Sequence, residues 1–441
     1  MENKTYEIYG SVLKGTPFYG TVNENAYIPY SENFSVLGKE IAIGGITCSN
    51  RIEYQPMEGQ DALLDGSPSD KTFERYIKLA KGGAGLIWVE AVSVCEEGKS
   101  NPYQLCITES NLDLFKKLVS TIKTECYKAN GFEPVVIIQL NHSGRYSKPM
   151  GVPAPVTAYF NPDIEDAPKR IITDDELRSL SELFSKSSRL SILAGFDGID
   201  IKACHGYLAS ELLSAFDREG LYGGSFENRS RLFREMVEAA HTEIPQKKIL
   251  AARINIFDGF EGKYSFGKPD SKDALYDLSE AKKLAEILAK NGGALLNVTM
   301  GSPYRNPDVS RPYRSGIDKP KSDAVFALSR LWKGASDIKA CFPQLKIVNT
   351  GISLLGALSP FAAAGAIEEN MTDFVGFGRM SFAYPSLARD ILNGSFDNAK
   401  VCVACSGCST LKKNVLPSGC IIRDDYYKQI FRDWKRGNSD E

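Results

Sequence analysis

Nothing in this chain approaches the roughly 20 consecutive apolar residues that a helix needs to cross a bilayer, and neither sign of charge prevails. The 441 residues carry 53 Lys and Arg against 55 Asp and Glu, a net charge of −2. Nucleic acid and anionic membrane surfaces are usually met by a basic face, so neither is expected as a partner. The N-terminus, Met1 to Tyr6, has neither the basic nor the apolar region of a secretory signal. These absences lead to the expectation of a soluble, cytoplasmic protein. No segment of domain size repeats. Histidine is scarce, with three in the whole chain, so one that falls in a motif carries weight.

What is present is apolar material for a large core, 43% of the residues, in a regular alternation. Residues 40–47, Glu-Ile-Ala-Ile-Gly-Gly-Ile-Thr, spell a tight hairpin around Gly44 and Gly45 that would plug the bottom of a barrel. Short apolar strand candidates follow at 52–57, 84–91, 134–141, 196–202, 248–255, 294–300, 346–350 and 373–378. Helical patterns lie between them at 70–82, 111–129, 173–194, 226–242, 277–291, 322–341, 353–366 and 380–393, with a capping box at Thr173 to Glu176. Eight strands alternating with eight helices predict an α/β fold, a closed (β/α)8 TIM barrel with an N-terminal hairpin and a short cysteine-rich tail. The long connections 143–172, 255–276 and 300–321 all follow strand candidates, on the face where such barrels do chemistry. The first holds Pro149, Pro153, Pro155, Pro162 and Pro168 and reads as a lid. The third carries Tyr304, Arg305, Arg311, Tyr313 and Arg314, and is either solvated or in contact with a substrate.

Residues 195–214 stand at the centre of this alternation. Ile199 and Ile201 alternate with Asp200 and Lys202 along a strand, and a loop with His205 and Tyr207 follows. A cation, an imidazole and a phenol therefore gather at one strand end. Of ten cysteines, six are scattered, as buried small hydrophobes usually are, and four cluster as Cys402-x2-Cys405-x2-Cys408-x11-Cys420. Three thiolates at short spacing and a fourth after a loop suit a [4Fe-4S] cluster. A structural zinc more often takes two separated pairs; zinc and free thiols remain the alternatives.

Several motifs in order resemble the Old Yellow Enzyme superfamily of FMN-dependent ene-reductases. The likeness is greatest to the branch of iron–sulfur 2,4-dienoyl-CoA reductases and trimethylamine dehydrogenase, and it covers about residues 34–420. The motifs are Asn50-Arg51 through Pro56-Met57, Glu90-Ala91, Gln139, His205-Gly-Tyr-Leu208, Leu221 through Arg229, Arg253, and Gly376-Phe-Gly-Arg379. The resemblance implies an FMN oxidoreductase acting on C=C bonds. In it Pro56, Met57 and Ala91 pack on the flavin, Gln139 meets its pyrimidine edge, and Arg253 faces N1. Gly351, Gly378 and Arg379 take the phosphate, where free N–H groups and a guanidinium suit a dianion. Lys202 and His205 would hold a substrate carbonyl while Tyr207 gives a proton. A similar tail in that branch binds a [4Fe-4S] cluster through four cysteines, here Cys402, Cys405, Cys408 and Cys420.

Two positions depart from the family. Lys202 stands where relatives usually have histidine, which leaves the substrate open. Glu58 stands where many have threonine or cysteine, and an unpaired carboxylate there would disfavour a reduced, anionic flavin. No Gly-x-Gly-x-x-Gly follows the cysteines, so electrons are expected from NAD(P)H docking over FMN or from a redox partner protein (a ferredoxin, a flavodoxin or a separate flavoprotein). The expected organisation is an extension at 1–33, an FMN barrel at 34–395 and an iron–sulfur segment at 396–441. The leading expectation is reduction of a small unsaturated molecule. The alternatives are an amine or alcohol dehydrogenase passing electrons outward, and an electron-transfer subunit. The oligomeric state stays open, a homo-oligomer included.

Overall fold

The computed structural model describes residues 4–13, 25–165, 169–271, 273–315 and 320–437. Pro168 of the expected lid lies outside them. Strands β1 (Ile41–Ile43) and β2 (Ile46–Cys48) form the antiparallel hairpin. The barrel strands are β3 (Ile52–Tyr54), β4 (Leu86–Ser93), β5 (Val135–Asn141), β8 (Gly198–Ala203), β9 (Ile249–Asn255), β10 (Leu295–Thr299), β11 (Lys346–Asn349) and β12 (Phe374–Phe377). Between β5 and β8, the short strands β6 (Val156–Thr157) and β7 (Arg170–Ile171) pair with each other inside the long first connection. The eight barrel strands are parallel and close through Ile52 opposite Val375.

The barrel strands are buried along nearly their whole length, as expected when helices cover the outside and side chains fill the inside. Their period of two separates the layers. Leu86, Trp88, Val135, Ile137, Ile249, Ala251 and Leu295 form an inner cluster, and Ile41 and Ile43 of the hairpin join it from below. Their neighbours Ile87, Val136, Ile138, Leu250 and Leu296 belong to the larger core under the helices. Two residues on, the inward positions turn polar: Gln139 follows Ile137, Arg253 follows Ala251, and Asn297 follows Leu295. An apolar plug below and a polar floor above thus arise from one alternation.

Three predicted helices are broken. The 226–242 pattern divides into Phe226–Arg229 and Arg231–Glu243. The 353–366 pattern begins as a 3-10 turn, Ile352–Leu358, with Gly356 in a non-helical conformation, before Ser359–Glu368. The 380–393 pattern splits at Tyr384 and Pro385, because proline disfavours a helical residue before it. The N-terminal extension, read as aperiodic, contains a helix at Thr5–Leu13, and its Tyr9, Ala26 and Ile28 enter the main core.

Candidate active site

The C-terminal ends of the strands surround a deep cleft of about 1470 Å³, measured out to its mouth. One wall collects Pro56 and Met57 after β3, Gln139 on β5, Arg253 on β9, Thr350 and Gly351 after β11, and Gly378 and Arg379 after β12. Gly351 has φ of 88°, and an added Cβ would meet Leu328 at 3.0 Å; a side chain there is both strained and crowded. The Arg253 Nε, the Arg379 Nη1 and the Thr350 hydroxyl are buried without a hydrogen-bond partner among the described residues. Buried donors are normally satisfied, so this wall suits a ligand with an anionic end and a polar planar edge. FMN fits that description. Gln139 donates one N–H to Asp200 Oδ2 at 2.6 Å, and Trp88 Nε1 donates to the same oxygen at 3.0 Å. That anchor sets the roll of the amide and leaves its carbonyl and second N–H for the ring edge. Ala91 is buried behind the wall rather than lining it, and its carbonyl accepts from Gln104 Nε2.

The cleft is also lined by Glu58, Lys202, His205, Tyr304 and Lys412. Tyr207 sits just behind, 2% exposed, with its hydroxyl 3.2 Å from Glu58 Oε1 and 2.9 Å from the Tyr304 hydroxyl. Lys412 Nζ lies 2.9 Å from Glu58 Oε2, and Lys202 Nζ lies 3.9 Å from Oε1 and 4.0 Å from the centre of the Tyr207 ring. Burial alone would raise Glu58, but Lys412 and Lys202 outweigh it and hold the carboxyl below its ordinary range. The concern about an unpaired carboxylate is thereby met: Glu58 is ionised and paired twice. Burial brings Lys202 down to about 8 against the pull of Glu58. Burial, then Arg253, Lys202, Lys412 and Arg311, depress His205 well below its usual value, so it is a neutral imidazole. Burial, Glu58 and Tyr304 raise Tyr207 far above the ordinary phenol, so it keeps its proton. These residues thus offer an ammonium, an imidazole and a protonated phenol to one small volume.

A buried ion cluster fixes the loop that carries Met57 and Glu58. Arg75, on the helix Asp70–Lys81, lies 2.8 Å from Asp61 and 2.5 Å from Glu90, and Glu90 accepts from the Gly59 N–H at 2.8 Å. Gly59 lets the guanidinium come this close, since a Cβ would stand 2.4 Å from it. From the first long connection Tyr146 and Lys148 reach the cleft, and from the third Tyr304 and Arg311. The third connection is therefore a wall of the site and not a solvated loop.

Cys402, Cys405, Cys408 and Cys420 converge on a neighbouring small cavity with Val401, Val403 and Ile421. Arg379 and Phe382 line both this cavity and the cleft. Among the described residues, no three His, Cys, Asp or Glu side chains are grouped as ligands of a metal ion. The thiols ring a space instead. The short helix Gly407–Lys413 places Cys408 and Lys412 four residues apart, on one face toward the cleft. Sequence reasoning missed Lys412, Tyr146, Lys148 and Gln55 in the cleft lining; nothing in a Lys-Lys pair at a helix end distinguishes it from a solvated one.

Residues 37–318 match the model of the NADH:flavin oxidoreductase / NADH oxidase family. An NADPH dehydrogenase of Bacillus licheniformis is 34% identical over 300 residues, 67% of this chain and 80% of that protein. The cinnamate reductase of Clostridium sporogenes is 26% identical over 412 residues, 89% of this chain but 58% of that protein. In fold the chain is similar to a 2-naphthoyl-CoA reductase solved with 2-naphthoyl-CoA, at a TM-score of 0.73 and 23% identity, over 88% of this chain and 57% of the other. The chain thus spans a little over half the length of the latter two proteins.

Proposed function

The chain belongs to the NADH:flavin oxidoreductase / NADH oxidase family, and on that premise we propose that it is an FMN-dependent ene-reductase acting on an activated alkene. Bound FMN, when reduced, supplies hydride from N5 to the β carbon of the alkene. Lys202 and His205 hold the substrate's carbonyl oxygen and draw electron density from the conjugated double bond. Tyr207 protonates the α carbon. Arg253 offsets negative charge near the flavin N1, and Arg379 with the N–H groups at Gly351 and Gly378 anchors the phosphate. The observation that carries this reading is the buried Tyr207 phenol just behind the cleft lining, its hydroxyl 3.2 Å from Glu58 and its ring 4.0 Å from the Lys202 ammonium. An amine dehydrogenase would have to admit a cation past Lys148, Lys202 and Lys412, which line the cleft; that disfavours the oxidative alternative.

The reading extends to the tail. Four cysteines lining one cavity, three of them at short spacing and a fourth after a loop, suit a [4Fe-4S] cluster more than zinc. Through Arg379 and Phe382 such a cluster would adjoin the flavin and open a route for electrons from a redox partner, with NAD(P)H as the alternative donor. Residues 1–33, 34–395 and 396–441 are then extension, FMN barrel and cluster segment. Anaerobic titration of the reduced protein with enones and enoates tests the whole. Reoxidation of the flavin by an alkene is expected, and Tyr207→Phe should keep its FMN while turnover falls about 10²-fold or more. Unchanged turnover in that variant would remove Tyr207 from its role. Iron and inorganic sulfide in place of zinc would support the cluster.

A further inference from the structure

A phenol that gives its proton to carbon must be reloaded before the next turnover. Tyr207 is 2% exposed, so bulk water does not reach it directly. Its hydroxyl instead lies 2.9 Å from that of Tyr304, and the Lys412 ammonium lies 5.8 Å from the centre of the Tyr304 ring. Lys412 is held at that place by Glu58 at 2.9 Å, while its side chain remains 29% exposed. Tyr304 is itself fixed by stacking on Tyr146, with ring centres 3.9 Å apart. The geometry points to a proton wire, in which Lys412 and Tyr304 return a proton from solvent to Tyr207. This inference rests on the ene-reductase reading.

The steps balance. As the alkene takes hydride at one carbon, with both electrons from the flavin, Tyr207 passes its O–H proton to the other. The Tyr304 O–H proton moves to the Tyr207 oxygen, a Lys412 N–H proton moves to the Tyr304 oxygen, and water protonates the Lys412 amine. One proton enters per alkene reduced. The direction is downhill at the start, because burial and Glu58 make a Tyr207 anion strongly basic. Glu58 is then no relay. It anchors the ammonium at the entrance and keeps it charged, and burial is outweighed there by that pairing. Tyr304 and Lys412 act through Tyr207 and are positioning residues in this sense. The wire begins on the helix that also carries Cys408, so the cysteine segment would contribute to proton supply.

The experiment mixes the flavin-reduced holoenzyme with excess alkene in weak buffer containing a pH indicator. Flavin absorbance reports the first hydride transfer, and the indicator reports proton uptake. In the parent, uptake should keep pace with flavin reoxidation. In Tyr304→Phe and Lys412→Met, proton uptake should lag behind each variant's own flavin reoxidation by about tenfold or more. Added methylamine should restore uptake in Lys412→Met but not in Tyr304→Phe. A merely structural role would not produce that rescue. Uptake in step with reoxidation in both variants, or a lag that methylamine does not shorten in Lys412→Met, would overturn the wire and leave the ene-reductase reading standing. Failure of every alkene to reoxidise the parent flavin would overturn that reading and the wire together.

Discussion

Lys202 is under two opposing effects. Burial lowers its pKa to about 8, and Glu58 at 3.9 Å resists that shift. The ammonium is therefore present below about pH 8 and lost as pH rises through it. If the charge grips the substrate oxygen, kcat/KM for the alkene should fall above pH 8 by roughly tenfold per pH unit. Lys202→Arg, cationic at any working pH, should move that limb upward, and an unmoved limb would assign it to another group. The lysine and its two companions past the strand were legible in the sequence because they interrupt an apolar period at its end. The partner of Glu58 was not. Lys412 comes from 354 residues further along (412 − 58), and only the folded barrel brings the two together.

The helices and the loop after β3 show how elements hold such residues still. Strand positions were legible nearly to the residue, since uninterrupted apolar runs between helical periods leave few alternatives. The helix break at Ser230 was not, since no proline or glycine marks the change there. The Arg75 cluster was equally invisible. An arginine on a helix face ordinarily reads as solvated, yet Arg75 is buried between Asp61 and Glu90. Breaking a buried ion set by removing one partner typically costs about 3–5 kcal/mol. Arg75→Met should lower the unfolding free energy by about that amount in denaturant titration. It should also weaken FMN retention, because the loop holding Pro56 and Met57 loses its anchor at Gly59. Full stability with loose FMN would show the cluster to be a positioning device alone.

At the scale of the whole molecule, the hairpin plug and the chemistry lie at opposite ends of the barrel. Ile43 of the hairpin is fully buried against the inner cluster, far along the strands from the cleft. Ile43→Ala should cost about 2–5 kcal/mol of stability while kcat below the unfolding transition stays that of the parent. A matching loss of kcat would mean that the plug shapes the site. The closure itself has a temporal consequence. The pairing of Ile52 with Val375 joins residues 323 apart (375 − 52), and contacts so distant in sequence form late. During synthesis the first barrel strand waits with an unpaired edge until nearly the whole barrel has left the ribosome. Lys412 emerges later still, and it has no Glu58 to meet until that loop is fixed above a closed barrel. Each nascent molecule would then pass from inert to competent in its last folding step, and partly made chains would be unable to spend reducing equivalents.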